Sequence, residues 1–160
     1  MAQHALFSGT FDPVTLGHLD VLERAVRLFG RVTLGVALNP AKEPLFPLEE
    51  RMSLLREVTA GIEEVGIVHV TGLTVDTCAE LGADVIVRGV RGSGDLDYET
   101  PMAHTNRRLS PNIETVFLLP APEHAFISSS LVRQVAQLGG DCSSFVPPAV
   151  LAALKQRFSN

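Results

Sequence analysis

Short, unbroken runs of branched apolar residues, separated by stretches of helical period, constrain this 160-residue chain more than any other feature. Five runs occur: one near 4–8 around Ala5-Leu6-Phe7, then Val32 to Leu38, Ile67 to Val70, Val85 to Val87 and Thr115 to Leu119. Runs of this kind suit strands covered on both faces, as parallel strands are. Helical patterns fill the intervals near 17–29, 48–60, 74–81 and 95–109. A further helix is expected from the serine cluster 128–130 to about Leu138, and a last one after Pro147-Pro148, whose fixed φ suits a first turn. Leu48, Met52, Leu55 and Val58 fall at helical spacing, with Glu49 and Glu50 favourable in that first turn. Thr74 is the expected N-cap of the third helix. Strands alternating with helices predict a parallel sheet with right-handed crossovers. The expected fold is therefore α/β, a Rossmann-like, doubly wound, five-stranded parallel sheet in a single domain over 1–160.

Such sheets bind ligands beyond the carboxyl ends of their strands, near the point where strand order reverses. The chain's unusual motifs all fall at those ends. Gly9-Thr10-Phe11-Asp12-Pro13-Val14-Thr15-Leu16-Gly17-His18 joins the first strand to the first helix. It sets a glycine and a histidine at a helix start, where backbone N–H groups lack partners and the dipole favours anions. A protonated or hydrogen-bonding imidazole there adds a donor aimed at the same anion, which suits a phosphate. A capping glycine followed by a solvent-facing histidine is the competing reading.

After the second strand, Pro40 and Pro44 stiffen the loop that carries Lys42. A lysine is a compact point charge suited to a phosphate that changes its bonding, although a surface lysine needs no such role. The fourth strand runs into Arg88-Gly89-Val90-Arg91-Gly92-Ser93-Gly94-Asp95-Leu96-Asp97-Tyr98-Glu99. Arginine forks match phosphate oxygens, and glycines permit close backbone approach. Alternatively Arg91 pairs with Asp95 or Asp97, and Arg88 caps its strand. Ser128-Ser129-Ser130 at a helix start combine hydroxyls with free N–H groups, where a simple N-cap would need only one serine.

Composition narrows the partners. The hydrophobic share is 46% and the charged share 19%. No run of about 18 apolar residues is present to span a membrane, and residues 5–7 are too short to form a leader. Cys78 and Cys142 have neither disulfide-framework nor zinc-ligand spacing and read as reduced, so a cytoplasmic location is expected. A net charge of −5 argues against a generally basic, nucleic-acid-binding surface, but not against a few cations gathered in one pocket.

Thr15-Leu16-Gly17-His18 resembles the T-x-G-H signature of the nucleotidylyltransferase superfamily, and Ile127-Ser128-Ser129-Ser130-Leu131-Val132-Arg133 resembles its second, serine-rich signature. His124-Ala125-Phe126 before it favours an adenylyl over a cytidylyl branch. The Lys42 loop, the Arg88 to Glu99 run and its continuation through Ala103, Asn106, Arg107 and Leu109 are similar to the phosphopantetheine adenylyltransferase family. That resemblance implies transfer of an adenylyl group from ATP to 4′-phosphopantetheine, giving dephospho-coenzyme A and pyrophosphate. It implies catalytic roles for Thr10, His18, Lys42 and Arg91. It places nucleotide contacts at Thr10, Phe11, His18, Gly89, Val90, Arg91, Glu99, His124, Ala125, Phe126, Ile127 and Ser128 to Ser130. Acceptor contacts fall to Thr10, Lys42, Thr74, Arg88 and Asn106. It further implies Mg²⁺ accompanying ATP without a protein metal site, a homohexamer, and coenzyme A as an inhibitor. Ser8, Leu16, Ala41, Glu43 and His124 depart from the family pattern, yet none of these removes a charged group that the reaction needs. An adenylyltransferase acting on nicotinamide mononucleotide and a non-catalytic nucleotide sensor are the rival readings.

Overall fold

The computed structural model describes residues 3–159. The elements run β1 (Gln3–Gly9), α1 (Leu16–Phe29), β2 (Gly30–Ala37), α2 (Leu48–Val58), β3 (Val65–Val70), α3 (Thr74–Leu81), β4 (Val85–Gly89), α4 (Ser93–Leu109), β5 (Glu114–Leu118), α5 (Ser129–Gln137) and α6 (Pro148–Phe158). A 3₁₀ turn at Pro122–His124 precedes α5. The five strands form one parallel sheet in the order β3-β2-β1-β4-β5. The chain winds outward from β1 through β2 to β3, then returns to the other side of β1 for β4 and β5. The reversal between β1 and β4 is the crevice where such sheets take ligands.

Alternation along the strands builds two layers. Ala5, Phe7, Val32, Leu34, Val36, Val85 and Val87 point to one face, where they meet Val21, Leu22 and Ala25 of α1, Leu55 of α2, Val132 of α5 and Val150 and Leu154 of α6. Leu6 and Ile86 point to the other face and pack with Val75 and Cys78 of α3, Ala83 and Ile113. This second layer is thin, and close approach is possible at Gly35 only because it lacks a side chain. A Cβ there would lie 2.8 Å from Val70 Cγ2 and 2.9 Å from Leu6 Cδ1. In α4 only Glu99 and Asn106 are buried, so this helix meets the sheet through polar groups.

Helix ends follow local chemistry, with one correction. Gly30, at φ 80°, closes α1 and returns its N–H to Val26 O. Pro148 opens α6, and Glu49 and Glu50 sit in the first turn of α2. Thr74 does not cap α3: Leu73 holds the cap position without a side-chain hydrogen bond, and Thr74 is already the first helical residue. Cys78 and Cys142 are separate buried thiols, and burial pushes Cys78 up to about 11, which keeps it unreactive. His4 is buried, with Nδ1 3.1 Å from Leu81 O and Nε2 2.8 Å from Thr33 Oγ1. Among the described residues no helix is long and apolar enough to cross a membrane.

Candidate active site

The turn after β1 builds the centre of the site. Thr15 caps α1, its Oγ1 accepting the His18 N–H at 3.3 Å, while His18 Nδ1 accepts the Thr15 N–H at 3.0 Å. This reciprocal box fixes the imidazole. Because Nδ1 is an acceptor there, the proton of the neutral ring resides on Nε2. The ring packs edge-on against Phe11, with centroids 5.1 Å apart, and Phe11 packs in the same way on Phe7 at 5.4 Å. Burial, with Arg91 and Arg88 adding positive charge nearby, pulls His18 down to about 4. The protonated alternative raised by the sequence therefore does not describe the free protein at neutral pH. Phe11 adopts φ 46°, a backbone region that non-glycine residues rarely occupy, and its buried ring holds it there. Its side chain supports His18, so any ligand contact at this residue falls to its backbone.

The end of β4 supplies two arginines, each already engaged by a carboxylate. Arg88 makes a bidentate pair with Glu99 through Nε (2.8 Å) and Nη2 (2.6 Å), and its Nη1 donates to Ser8 O. Arg91 grips Asp95 through its backbone N–H (2.9 Å), Nε (2.9 Å) and Nη2 (3.0 Å). The pairing of Arg91 with Asp95 raised from sequence is thus realised. These hydrogen bonds hold the Asp95 carboxyl below its ordinary value. Gly89 and Val90 connect the two arginines, and a Cβ at Gly89 would lie 3.3 Å from Val21 Cγ2 of α1. Glu99 and Asn106 share the buried face of α4, seven residues apart.

The three serines divide their work. Ser128 caps α5 and accepts the Leu131 N–H at 3.0 Å. Ser129 donates its hydroxyl to Pro13 O at 2.8 Å, tying this helix start to the turn after β1. Ser130 is exposed and its hydroxyl makes no hydrogen bond among the described residues. The segment before α5 lies against Gly17, where a Cβ would be 3.5 Å from His124 O and 3.8 Å from Ile127 O. A Cβ at Gly17 would thus meet that segment at ordinary contact distance. Ala125 is half-buried, Phe126 is exposed with its ring edge-on to Phe145 at 5.9 Å, and Ile127 is buried.

A second region opens beside β1 and β2. A small cavity of about 50 Å³ is lined in part by Thr10, Asp12, Lys42, Arg51 and Arg133. Thr10 and Lys42 are both exposed, and Lys42 forms no ion pair among the described residues. Thr74 and the exposed Leu73 stand beyond the end of β3. The structure therefore brings Thr10, His18, Arg88, Arg91 and the α5 start to one edge of the sheet, with Lys42 and Thr74 on the strand ends to one side.

A model of the cytidylyltransferase-like family matches residues 6–135, most of the chain. The chain belongs to that family. A crystal structure of a candidate nicotinate-nucleotide adenylyltransferase from Vibrio parahaemolyticus has a similar fold, with a TM-score of 0.74. The match covers 100% of this chain and 98% of that one at 19% identity. As a member of the cytidylyltransferase-like family, the chain is a nucleotidylyltransferase by class.

In the sequence Asp12, Asp20 and Arg51 carry no role of their own, and Arg133 is only the last residue of a motif. Buried Asp12 accepts the Leu45 and Phe46 N–H groups at 2.9 Å each and pairs with Arg133 Nη2. Arg133 also reaches Asp12 O (2.8 Å) and Glu43 O (3.2 Å). Asp20 Oδ2 accepts the Ala121 N–H at 2.8 Å and Arg24 Nε at 2.9 Å, anchoring the segment that leads to His124. Arg51 had a visible signal. It lies three residues after Leu48 and four before Leu55, on the apolar stripe of α2.

Proposed function

We propose that this nucleotidylyltransferase transfers the adenylyl group of ATP to 4′-phosphopantetheine. The observation that carries the reading is the pairing of two anion-favouring places along one sheet edge. One is formed by His18 Nε2, Arg91 and the open N–H groups of Ser129 and Ser130; the other is the cavity between Thr10 and Lys42. The first suits a triphosphate and the second a terminal phosphate monoester. Lys42, held in a proline-stiffened loop, and the Arg88 to Glu99 run favour phosphopantetheine over a nicotinate or nicotinamide mononucleotide.

In the proposed reaction, an oxygen of the acceptor phosphate attacks the α-phosphorus of ATP in line. The bond to the bridging oxygen breaks, and pyrophosphate leaves with the electron pair. A phosphate monoester is an adequate nucleophile at neutral pH, so no side chain forms a covalent bond. Thr10 and Lys42 orient the attacking phosphate, and Arg88, which keeps one Nη2 proton uncommitted, completes its cradle. His18 donates from Nε2 to the α-phosphate, where charge accumulates, with Lys42 opposite. Arg91 and the α5 start hold the β- and γ-phosphates. These contributions are positioning and charge stabilisation. Mg²⁺ would enter as part of the ATP complex, bound by phosphates and water.

Glu99 reaches the ribose in this proposal only from its pair with Arg88, and the backbone from His124 to Ile127 borders the base. Coenzyme A, which shares the phosphopantetheine arm, would compete for the acceptor cavity. The reading is tested by pyrophosphate release from ATP and Mg²⁺, with and without 4′-phosphopantetheine, beside Lys42→Ala. Release that requires the acceptor and falls at least ~10²-fold in the variant is expected. Release with nicotinate mononucleotide instead would replace the acceptor while keeping the chemistry.

A further inference from the structure

Arg51 is the charged residue that α2 buries, 2% exposed. Its Nε donates to Phe46 O at 3.0 Å, and its Nη1 donates to Thr10 O at 2.8 Å and Ala37 O at 3.2 Å. We propose that Arg51 is a positioning residue for the acceptor half of the site, holding Thr10 in register with the Lys42 loop and leaving surplus positive charge beneath the cavity between them. This rests on the reading above only for the identity of the acceptor.

The three carbonyls mark three separate pieces of chain. Thr10 O lies just past β1, Ala37 O ends β2, and Phe46 O closes the loop that begins after β2 and carries Lys42. One planar guanidinium thus fixes both ends of the Lys42 loop to the residue that follows the central strand. No other side chain type supplies so many donors in a rigid fork. The loop is held from its outer side as well, by Asp12 at Leu45 and Phe46 and by Arg133 at Glu43.

The electrostatics point the same way. A buried guanidinium is costly, and a fold built only for stability would give it a carboxylate or replace it with an apolar side chain. Arg51 makes no ion pair among the described residues; the nearby carboxylate, Asp12, is spent on Arg133. The cavity's charged lining is Lys42, Arg51 and Arg133 against Asp12 and Glu43, which leaves a single positive charge in excess. Arg51 Nη2 donates no hydrogen bond among the described residues, and the side chain lines the cavity. Both the geometry and the excess charge serve an anion seated there.

Arg51→Lys keeps the charge but has a single nitrogen in place of the separate Nε and Nη1 donors, whereas Arg51→Gln removes the charge and most of the fork. The measurements are steady-state KM values for 4′-phosphopantetheine and ATP, and amide hydrogen exchange across 38–46. Arg51→Gln is expected to raise the acceptor KM about ten-fold while the ATP KM stays within about two-fold. Arg51→Lys is expected to fall between wild type and Gln in acceptor KM, with exchange across 38–46 accelerated in both. Equal rises in both KM values would overturn the proposal in favour of general loosening, and so would unchanged exchange across 38–46. If Arg51→Gln fails to fold by circular dichroism, the lysine variant alone decides on the same two readouts. If the wild type transfers to no acceptor, the function proposed above fails separately. Binding of inorganic phosphate, followed by ³¹P line shape, then takes the place of KM: weaker binding in the variants supports the role, and equal binding refutes it.

Discussion

His18 carries no charge at neutral pH in the free protein, and this limits what it can do. Thr15 occupies Nδ1, so the ring offers one donor, Nε2–H, rather than a cation or a base. The pKa of about 4, against 6.5 for an ordinary histidine, has a consequence for stability. Between those values an unfolded chain takes up a proton that the folded chain refuses, so stability present above pH 6.5 is lost as pH falls toward 4. His18→Ala should flatten this part of the profile in urea unfolding at pH 7 and pH 5, while turnover drops at least ~10²-fold and ATP binding persists. A variant with the wild-type pH slope would mean that the ring is solvated, and turnover within a few-fold would remove it from catalysis. Arg88 and Arg91 teach a related lesson. Both motif arginines are paired with carboxylates from the start of α4, so they act as preset forks rather than as free charges.

At the scale of elements, the order and type of every strand and helix were legible in the sequence, because runs of β-branched residues and helical period are local signals. Edges moved by a few residues: β2 begins at Gly30 and α2 stops at Val58. The Thr74 cap failed for a physical reason, since α3 begins at Thr74 itself and leaves Leu73 in the cap position. What could not be read was the wiring between elements. Asp12 and Arg133 stand 121 positions apart, yet their pair joins the turn after β1 to α5, and Asp12 also secures the loop carrying Lys42. Nothing in composition or spacing couples two such residues. Asp12→Asn should leave Arg133 short of its counter-charge and weaken the loop anchor. Removing one partner of a buried pair costs about 3 kcal/mol or more. Urea unfolding should show that loss as a lower midpoint with an unchanged m-value; a loss below ~1 kcal/mol would class the pair as solvated.

The whole molecule presents one surface that its own core does not explain. One face of the sheet is covered by α1, α2, α5 and α6 in a continuous core, while on the other α4 buries only Glu99 and Asn106. Tyr98 (70% exposed), Met102 (49%) and Leu109 (53%) lie on one stripe of α4, turned away from the fold. Three large apolar side chains along a single helix exceed the scattered exposure that a monomer's surface normally shows. The homohexamer implied by family resemblance would use this stripe between copies of the chain. Because Glu99 projects from the same helix into the Arg88 pair, such an interface would also steady from behind the pair that the acceptor and nucleotide halves share. Met102→Glu combined with Leu109→Glu should therefore lower the oligomer mass in light scattering while far-UV circular dichroism is retained, and both ATP KM and acceptor KM should rise. A wild-type chain that is monomeric at tens of micromolar, or a double variant that keeps its mass, would assign the stripe another role.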